Sequence, residues 1–313
     1  MNSTDAALYF ETQHAILISR ALEAISFNIA TQQVCISVEG TEEEGRDLKF
    51  VSISPDRCLE CSVSITERVM SIDSAAGSGL YTIADQTSDK APDAQLILNS
   101  LTTSGFEPFS VRVSDLRMAL DLVLPHSPPR VTFYHAGQGK PLVIVIKAHD
   151  HVLSRVQIAT QPLIRDLIGV DFDPTTVTHT ATLQPHALPM AFPLKGRMRI
   201  DQSNFARIRF DSESERLVIM SGSSEVEAQT EFPMDAPITV FERPPARGFE
   251  SAEFGYKPAH LATAVLSAKY AHLTRLLITS EGVLNVAHLI PRETNVRCFV
   301  QFFLMPLVDA LPD

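Results

Sequence analysis

Apolar residues along this chain switch four times between a spacing of three to four and a spacing of two. Ile18, Ala21, Leu22 and Ile25 recur at i, i+3, i+4 and i+7, the stripe of one helical face, which predicts a helix over 14–25. Val34, Ile36 and Val38 then alternate, as do Phe50 or Val51 with Ile53, and Cys61, Val63 and Ile65. Alternation with one apolar face predicts half-buried antiparallel strands over 33–39, 48–54 and 60–69. An extended segment at 108–113 restarts the plan and leads into a stripe of Leu116, Ala119, Leu120 and Val123. Ser114 is its expected N-cap and Pro125 its end. Strands over 130–135, 141–147 and 152–160 follow, with Gly137 and Gly139 suiting the first turn.

The second half repeats this order. An extended run at 176–183 precedes a helical stretch at 186–199, which Pro189 and Pro193 should leave short or distorted. Strands are expected over 205–210, 216–220 and 225–231, then a loop at 232–247 holding Pro233, Pro237, Pro244 and Pro245. The last copy reads as a strand at 251–256 and a helix over 258–271 opened by Pro258, with Leu261, Val265 and Ala268 on one face. Strands at 273–279, 283–290 and 296–305 close it, with Gly282 in a turn. Repetition sets architecture before any local motif does. Four helices grouped on one face of antiparallel sheets make an α+β protein. The expected domains are 1–160 and 176–313, joined by a connector at 161–175. The Ser-, Ala-, Gly- and Asp-rich stretch 71–105 reads as a surface insertion, with 95–101 as a short ordered piece.

A length of 313 residues suits two such domains, and 45% hydrophobic with 20% charged residues is ordinary for a globular chain. No apolar run approaches the roughly 18 residues of a spanning helix, so no membrane partner is expected. The opening MNSTDAALYF lacks the basic and apolar regions of a secretory leader. Four cysteines (Cys35, Cys58, Cys61 and Cys298) make no disulfide framework in a chain of this size, which favours a reducing compartment. The net charge of −11 opposes contact with nucleic acid unless basic side chains gather on one face.

No reaction centre stands out. Cys58-x-x-Cys61 is half a zinc site without a second half. His149-Asp150-His151 lies in an expected hairpin turn, where such residues are ordinarily solvated. Asp171 with Asp173, Glu213 with Glu215, and the run Glu42–Glu44 are acidic groups a metal-dependent nuclease could use, though none has a supporting motif. GxxxxGK, GxGxxG and GxSxG are absent, which disfavours nucleotide hydrolysis and serine catalysis. No cofactor is expected.

The layout, with its connector and final apolar strand, resembles the sliding-clamp family typified by proliferating cell nuclear antigen. FSVRVSDLRMALD from Phe109, YHAGQGKPLVIVI from Tyr134, GVDFD from Gly169 and CFVQFFLMP from Cys298 look like the Rad-one-type subunit of the heterotrimeric checkpoint clamp. The resemblance implies a non-catalytic nuclear subunit. It would join two related subunits in a ring around double-stranded DNA, with a clamp loader and checkpoint or repair proteins as further partners. A homotrimeric replication clamp and a metal-dependent 3′–5′ exonuclease stand as alternatives.

In clamps the helices face phosphate. Here that implies DNA-facing Arg20, Arg112, Arg117, Lys195, Arg197, Arg199, Lys257 and Lys269, against Glu23, Asp115 and Asp121. Contacts of this kind are non-specific and salt-sensitive. The resemblance also implies a groove for partner peptides near the connector, where Leu163, Ile164, Leu167 and Ile168 either line it or pack the connector down. Ring joints are expected at strand edges, with 131–134 and the Arg117 helix on one side and 216–231 on the other.

Overall fold

The computed structural model describes residues 6–27, 31–41, 45–66, 99–102, 106–123, 130–148, 151–163, 170–192, 203–211, 214–223, 225–233, 239–242, 251–290 and 298–307. The chain divides into two compact units, 1–52 with 62–167 and 291–298, and 53–61 with 168–290 and 299–313.

In the first unit the alternating segments form β1 (Leu8–Thr12), β2 (Gln33–Thr41), β3 (Gly45–Ile53), β4 (Leu59–Thr66) and β5 (Asn99–Thr102). They continue as β6 (Phe109–Arg112), β7 (Arg130–His135), β8 (Leu142–Ala148), β9 (His151–Ile158) and β10 (Gln161–Pro162). One sheet runs β5-β1-β7-β8-β9, and β10, β6, β2, β3 and β4 follow in that order in another. Helices α1 (Ala15–Ala24) and α2 (Val113–Leu120) pack on each other. The rings of Phe10 and Phe133 stack at 4.4 Å in the core between β1 and β7.

In the second unit β11 (Val177–Leu183) and α3 (Ala187–Ala191) precede β12 (Phe205–Asp211), β13 (Arg216–Gly222), β14 (Glu227–Pro233) and β15 (Thr239–Glu242). β16 (Ala252–Tyr256), α4 (Pro258–Ser267), β17 (Leu273–Thr279), β18 (Leu284–Ile290) and β19 (Cys298–Leu304) complete it. Its sheets run β14-β13-β12-β16 and β19-β18-β17-β11-β15. Cys298, Val300, Phe302 and Leu304 form the buried row of β19. Burial of a large apolar side chain of this kind contributes about 1.5–3 kcal/mol. No described helix is long and apolar enough to cross a membrane.

The repeat is literal in element order. Strand, helix and three strands recur as β1-α1-β2-β3-β4, β6-α2-β7-β8-β9, β11-α3-β12-β13-β14 and β16-α4-β17-β18-β19. Several expectations need correction. Ser114 is not the N-cap of α2: Arg112 is, because β6 runs straight into the helix, and the Ser114 hydroxyl bonds Asp115 Oδ1 at 3.2 Å. α2 also stops at Leu120, well before Pro125. α3 is only five residues long with Pro189 inside it, and 193–200 lie outside the described residues. The proline-bearing loop 232–247 holds β15, which pairs with β11. β7 is no edge, because it lies between β1 and β8; β9 ends that sheet. On the other side β13 is central and β14 is the outer strand.

His288 fastens α4 to β18. Its Nε2–H donates to Ala264 O at 2.9 Å, and Nδ1 accepts from the Thr274 hydroxyl at 2.8 Å. Complete burial pushes its pKa down to about 4, so the folded protein holds this ring neutral. The unfolded chain takes up a proton below about pH 6.5, hence stability falls as pH drops from there toward 4. The loss from this group reaches about 3 kcal/mol. Urea unfolding at stepped pH should show this fall. His288→Leu should flatten it while costing on the order of 2 kcal/mol at pH 7, through the two orphaned partners. An unchanged pH profile in that variant would contradict the assignment.

Candidate nucleic-acid interface and assembly edges

The helix pair of the first unit places three of the expected basic residues. α1 buries Ala15, Leu17, Ile18, Ala21 and Leu22, which turns Arg20 to solvent. α2 buries Val113, Leu116, Ala119 and Leu120, leaving Arg112 exposed at its N-cap and Arg117 half-buried in its last turn. Glu23, Asp115 and Asp121 share these solvent-facing sides, so the described part of the pair is balanced in charge rather than basic. Met118 and Leu122 are also exposed there, as Met190 on α3 and Leu266 on α4 are in the second unit.

Lys257 and Lys269 flank α4. Lys257 is the N-cap residue, and its Nζ donates to Asp56 Oδ2 at 2.6 Å. His260 Nε2 lies 3.2 Å from the same carboxylate oxygen. Asp56 sits in the β3–β4 hairpin and also accepts from Ser54 Oγ at 2.5 Å and Cys58 N at 3.3 Å. Partial burial alone would raise its carboxyl pKa, but the Lys257, Ser54 and Cys58 hydrogen bonds, with His260 beside them, hold it well below the usual range. Lys257 is therefore committed to an internal partner. Lys269 lies in a single 3-10 turn, with Nζ 4.5 Å from the Tyr270 ring centroid. Lys195, Arg197 and Arg199 fall outside the described residues.

Leu163, just after β10, is half-buried; Ile164, Leu167 and Ile168 fall outside the described residues. The connector beyond them is held inside the second unit. Val170 N donates to Glu60 Oε2 at 2.9 Å, and the Phe172 ring lies 5.2 Å from that of Phe303. Asp173 caps a 3-10 turn, accepting from Thr175 N at 2.8 Å and Thr175 Oγ1 at 2.7 Å. Asp171 is exposed nearby. Cys61 is buried and its thiol is pushed well up by burial. Burial likewise raises Cys35 to about 11 and Cys298 to about 12. Thiols so disposed are poor thiolates. Among the described residues no three His, Cys, Asp or Glu gather as a metal ion would need. Glu42–Glu44, His149, Asp150 and Glu213 are outside that set, while His151 is exposed on β9.

Of the outer strands, β14 lies within the expected edge 216–231, whereas β9 was not expected as an edge. The outer side of β16 is covered by its own chain, through a bridge between Tyr256 and Pro306 and a bond from Leu307 N to Gly255 O at 2.8 Å. Segment 53–61 serves the end of β19 in the same way, Met305 N donating to Cys58 O at 3.0 Å. β9 and β14 are outermost in their sheets with no such cover among the described residues. Their inward rows are also unfinished: Ser154 and Val156 on β9, and Ala228 and Thr230 on β14, are only half-buried. The matching row of β19 is wholly buried.

Comparison with known proteins now decides the family. The profile described as Repair protein Rad1/Rec1/Rad17 matches residues 10–290. The chain belongs to this Rad1/Rec1/Rad17 repair-protein family. A search of curated proteins returns no match. Among solved structures, proliferating cellular nuclear antigen from Entamoeba histolytica is similar, with a TM-score of 0.63 at 10% identity, covering 96% of this chain and 99% of that one. This Rad1/Rec1/Rad17 member thus has the α+β sliding-clamp fold.

In this family member the Asp56 cluster should act on stability before anything else. Asp56→Ala should lower unfolding free energy by about 1 kcal/mol, since the pairs are partly solvated. The effect should shrink in high salt. Equal melting curves for variant and parent in low salt would refute that role.

Proposed function

We propose that this chain is a non-catalytic subunit of a heterotrimeric ring clamp that encircles DNA and serves as a recruitment platform in damage-checkpoint signalling and repair. The unfinished edges of β9 and β14 carry the reading. In the fourfold repeat β9 corresponds to β19, and β14 to β4, whose opening residues 59–61 belong to the unit of β19. The cover that segment 53–61 supplies to β19 within the chain is what β9 and β14 lack, and pairing them head to tail with related subunits would supply it. Membership of a repair-protein family and the clamp fold support DNA as the object enclosed. Action on chromosomal DNA makes the nucleus its place of work. Related clamp subunits, a loader and checkpoint or repair proteins are its partners. The domain boundary falls in the connector at 161–175.

DNA would be held by closure of the ring, with phosphate contacts secondary. Arg20, Arg112 and Arg117 offer the first unit's share, and Lys195, Arg197 and Arg199 the second's. Lys257 contributes little because Asp56 occupies it. Asp173 caps its own turn through Oδ1, and among the described residues no group of three His, Cys, Asp or Glu gathers around it for the exonuclease reading.

Two measurements test this. Light scattering should find the purified chain alone short of a ring, and a 1:1:1 assembly once two related clamp subunits are added. A stable homotrimer would sink the heterotrimer in favour of a replication-type clamp. In the closed ring, Lys195→Glu with Arg197→Glu and Arg199→Glu should shorten DNA retention and lower its salt slope by about 0.9 per lost phosphate contact. Lys257→Gln should leave both nearly unchanged. Equal retention in the triple variant across low and moderate salt would remove that cluster from the interface.

A further inference from the structure

β9 and β14 differ in a property that main-chain pairing does not require. Strands β7, β8 and β9 carry Arg130, Lys147 and Arg155, and no Asp or Glu. Glu11 on β1 offsets Arg130 at 3.7 Å. Arg155 and Gln157 are exposed two residues apart on β9 itself, beside half-buried Lys147 on β8. On the other edge the outer strand itself is acidic, while β12 and β13 behind it carry Arg207, Arg209 and Arg216. β14 and the turn before it carry Glu225, Glu227 and Glu231, and no Lys or Arg. Glu227, Gln229 and Glu231 stand in one exposed row. Glu231 is matched by Arg216 of β13 and by Gln229, whose Nε2 donates at 2.8 Å. Glu225 and Glu227 are exposed, with no basic residue on their own strand.

We propose that β9 is a basic edge that accepts a clamp strand whose outward row is acidic, while β14 is an acidic edge that accepts a basic one. The proposal rests on the ring reading above and adds chemistry to its two joints. Residues directly opposite on an antiparallel pair lie about 5 Å apart, so outward rows meet side by side, and like charges there are destabilising. Charges at a rim contribute little bulk affinity; they steer encounter and reject mismatched partners. Each edge would thus admit one kind of neighbour and the ring would have a fixed direction. This chain's own β14 has the row that its β9 requires, which makes a second copy the occupant to be distinguished from a related subunit.

The experiment uses the full chain assembled with the clamp subunits that co-purify with it, identified by mass. At about 50 mM salt, Arg155→Glu should weaken retention of one neighbour at least about fivefold and leave the other in place. Glu225→Lys with Glu227→Lys should spare the first neighbour and lose the second. Arg155→Lys, which keeps the charge, should behave as the parent. The differences should close at about 500 mM salt, where the screening length falls to a few ångströms. All these residues are exposed, and matching melting curves would confirm intact folding. Unchanged retention of both neighbours in both reversed variants overturns the charge assignment and leaves the ring standing. Failure of the parent to hold any clamp subunit overturns the ring reading and this proposal together. Recovery of the chain only with copies of itself, lost equally in both variants, overturns the related-subunit occupant.

Discussion

A β-strand has two hydrogen-bonding sides, and a meander that does not close leaves one side unmet at each end. This constraint governs the molecule more than any single contact does. Four copies of a strand–helix–three-strand unit generate several such ends. The chain meets one with its own C-terminal segment, where Pro306 and Leu307 cover β16. It meets another with residues 53–61, which leave the body of the first unit to join the second. Buried main-chain groups without partners are costly, and open edges invite pairing with other chains. β9 and β14 are left with half-buried inward rows, so their completion must come from outside the chain on the ring reading.

The same segment shows how a local polar cluster serves that arrangement. The turn of the hairpin, residues 55–58, carries no large apolar side chain, although Leu59 just after it is buried. Asp56 anchors it instead, accepting from its own turn and from Lys257 and His260 at the start of α4. Lys257, which the clamp resemblance assigns to phosphate, is therefore paired within the protein. Pairing of this kind is set by the third dimension: Asp56 and Lys257 are 201 residues apart.

Strand positions were legible wherever alternation met a clear turn. β7 and β17 have the predicted bounds, since one face of each packs inward without interruption. The weakness of α3 was legible too, because Pro189 cannot donate the main-chain bond that a longer helix needs. Pairing order was not. Periodicity tells which face of a strand is buried, not which strand lies beside it, so β7 passed for an edge and β9 did not. The end of each meander, the last strand before a connector or loop, was the available clue. β15 was hidden because four prolines argued for a loop, and a four-residue strand is too short to show a period. Ser114 has the right chemistry for an N-cap, but β6 leads into α2 with no intervening turn, so the helix begins two residues earlier.

Charge behaves in the same way: its total says less than its placement. A net charge of −11 would repel DNA if it were spread evenly. On α1 and α2 the described basic and acidic residues offset each other, and exposed Met118 and Leu122 dilute the charge further. Such a face would bind a duplex weakly. For an enzyme that must grip its substrate this would be a defect. For a closed ring it is compatible with function, because linkage by topology needs no contact energy, and each added phosphate contact would make sliding slower and more salt-dependent. On the ring reading, selection by charge would belong where subunits choose one another, and the outer strands β9 and β14 differ in sign.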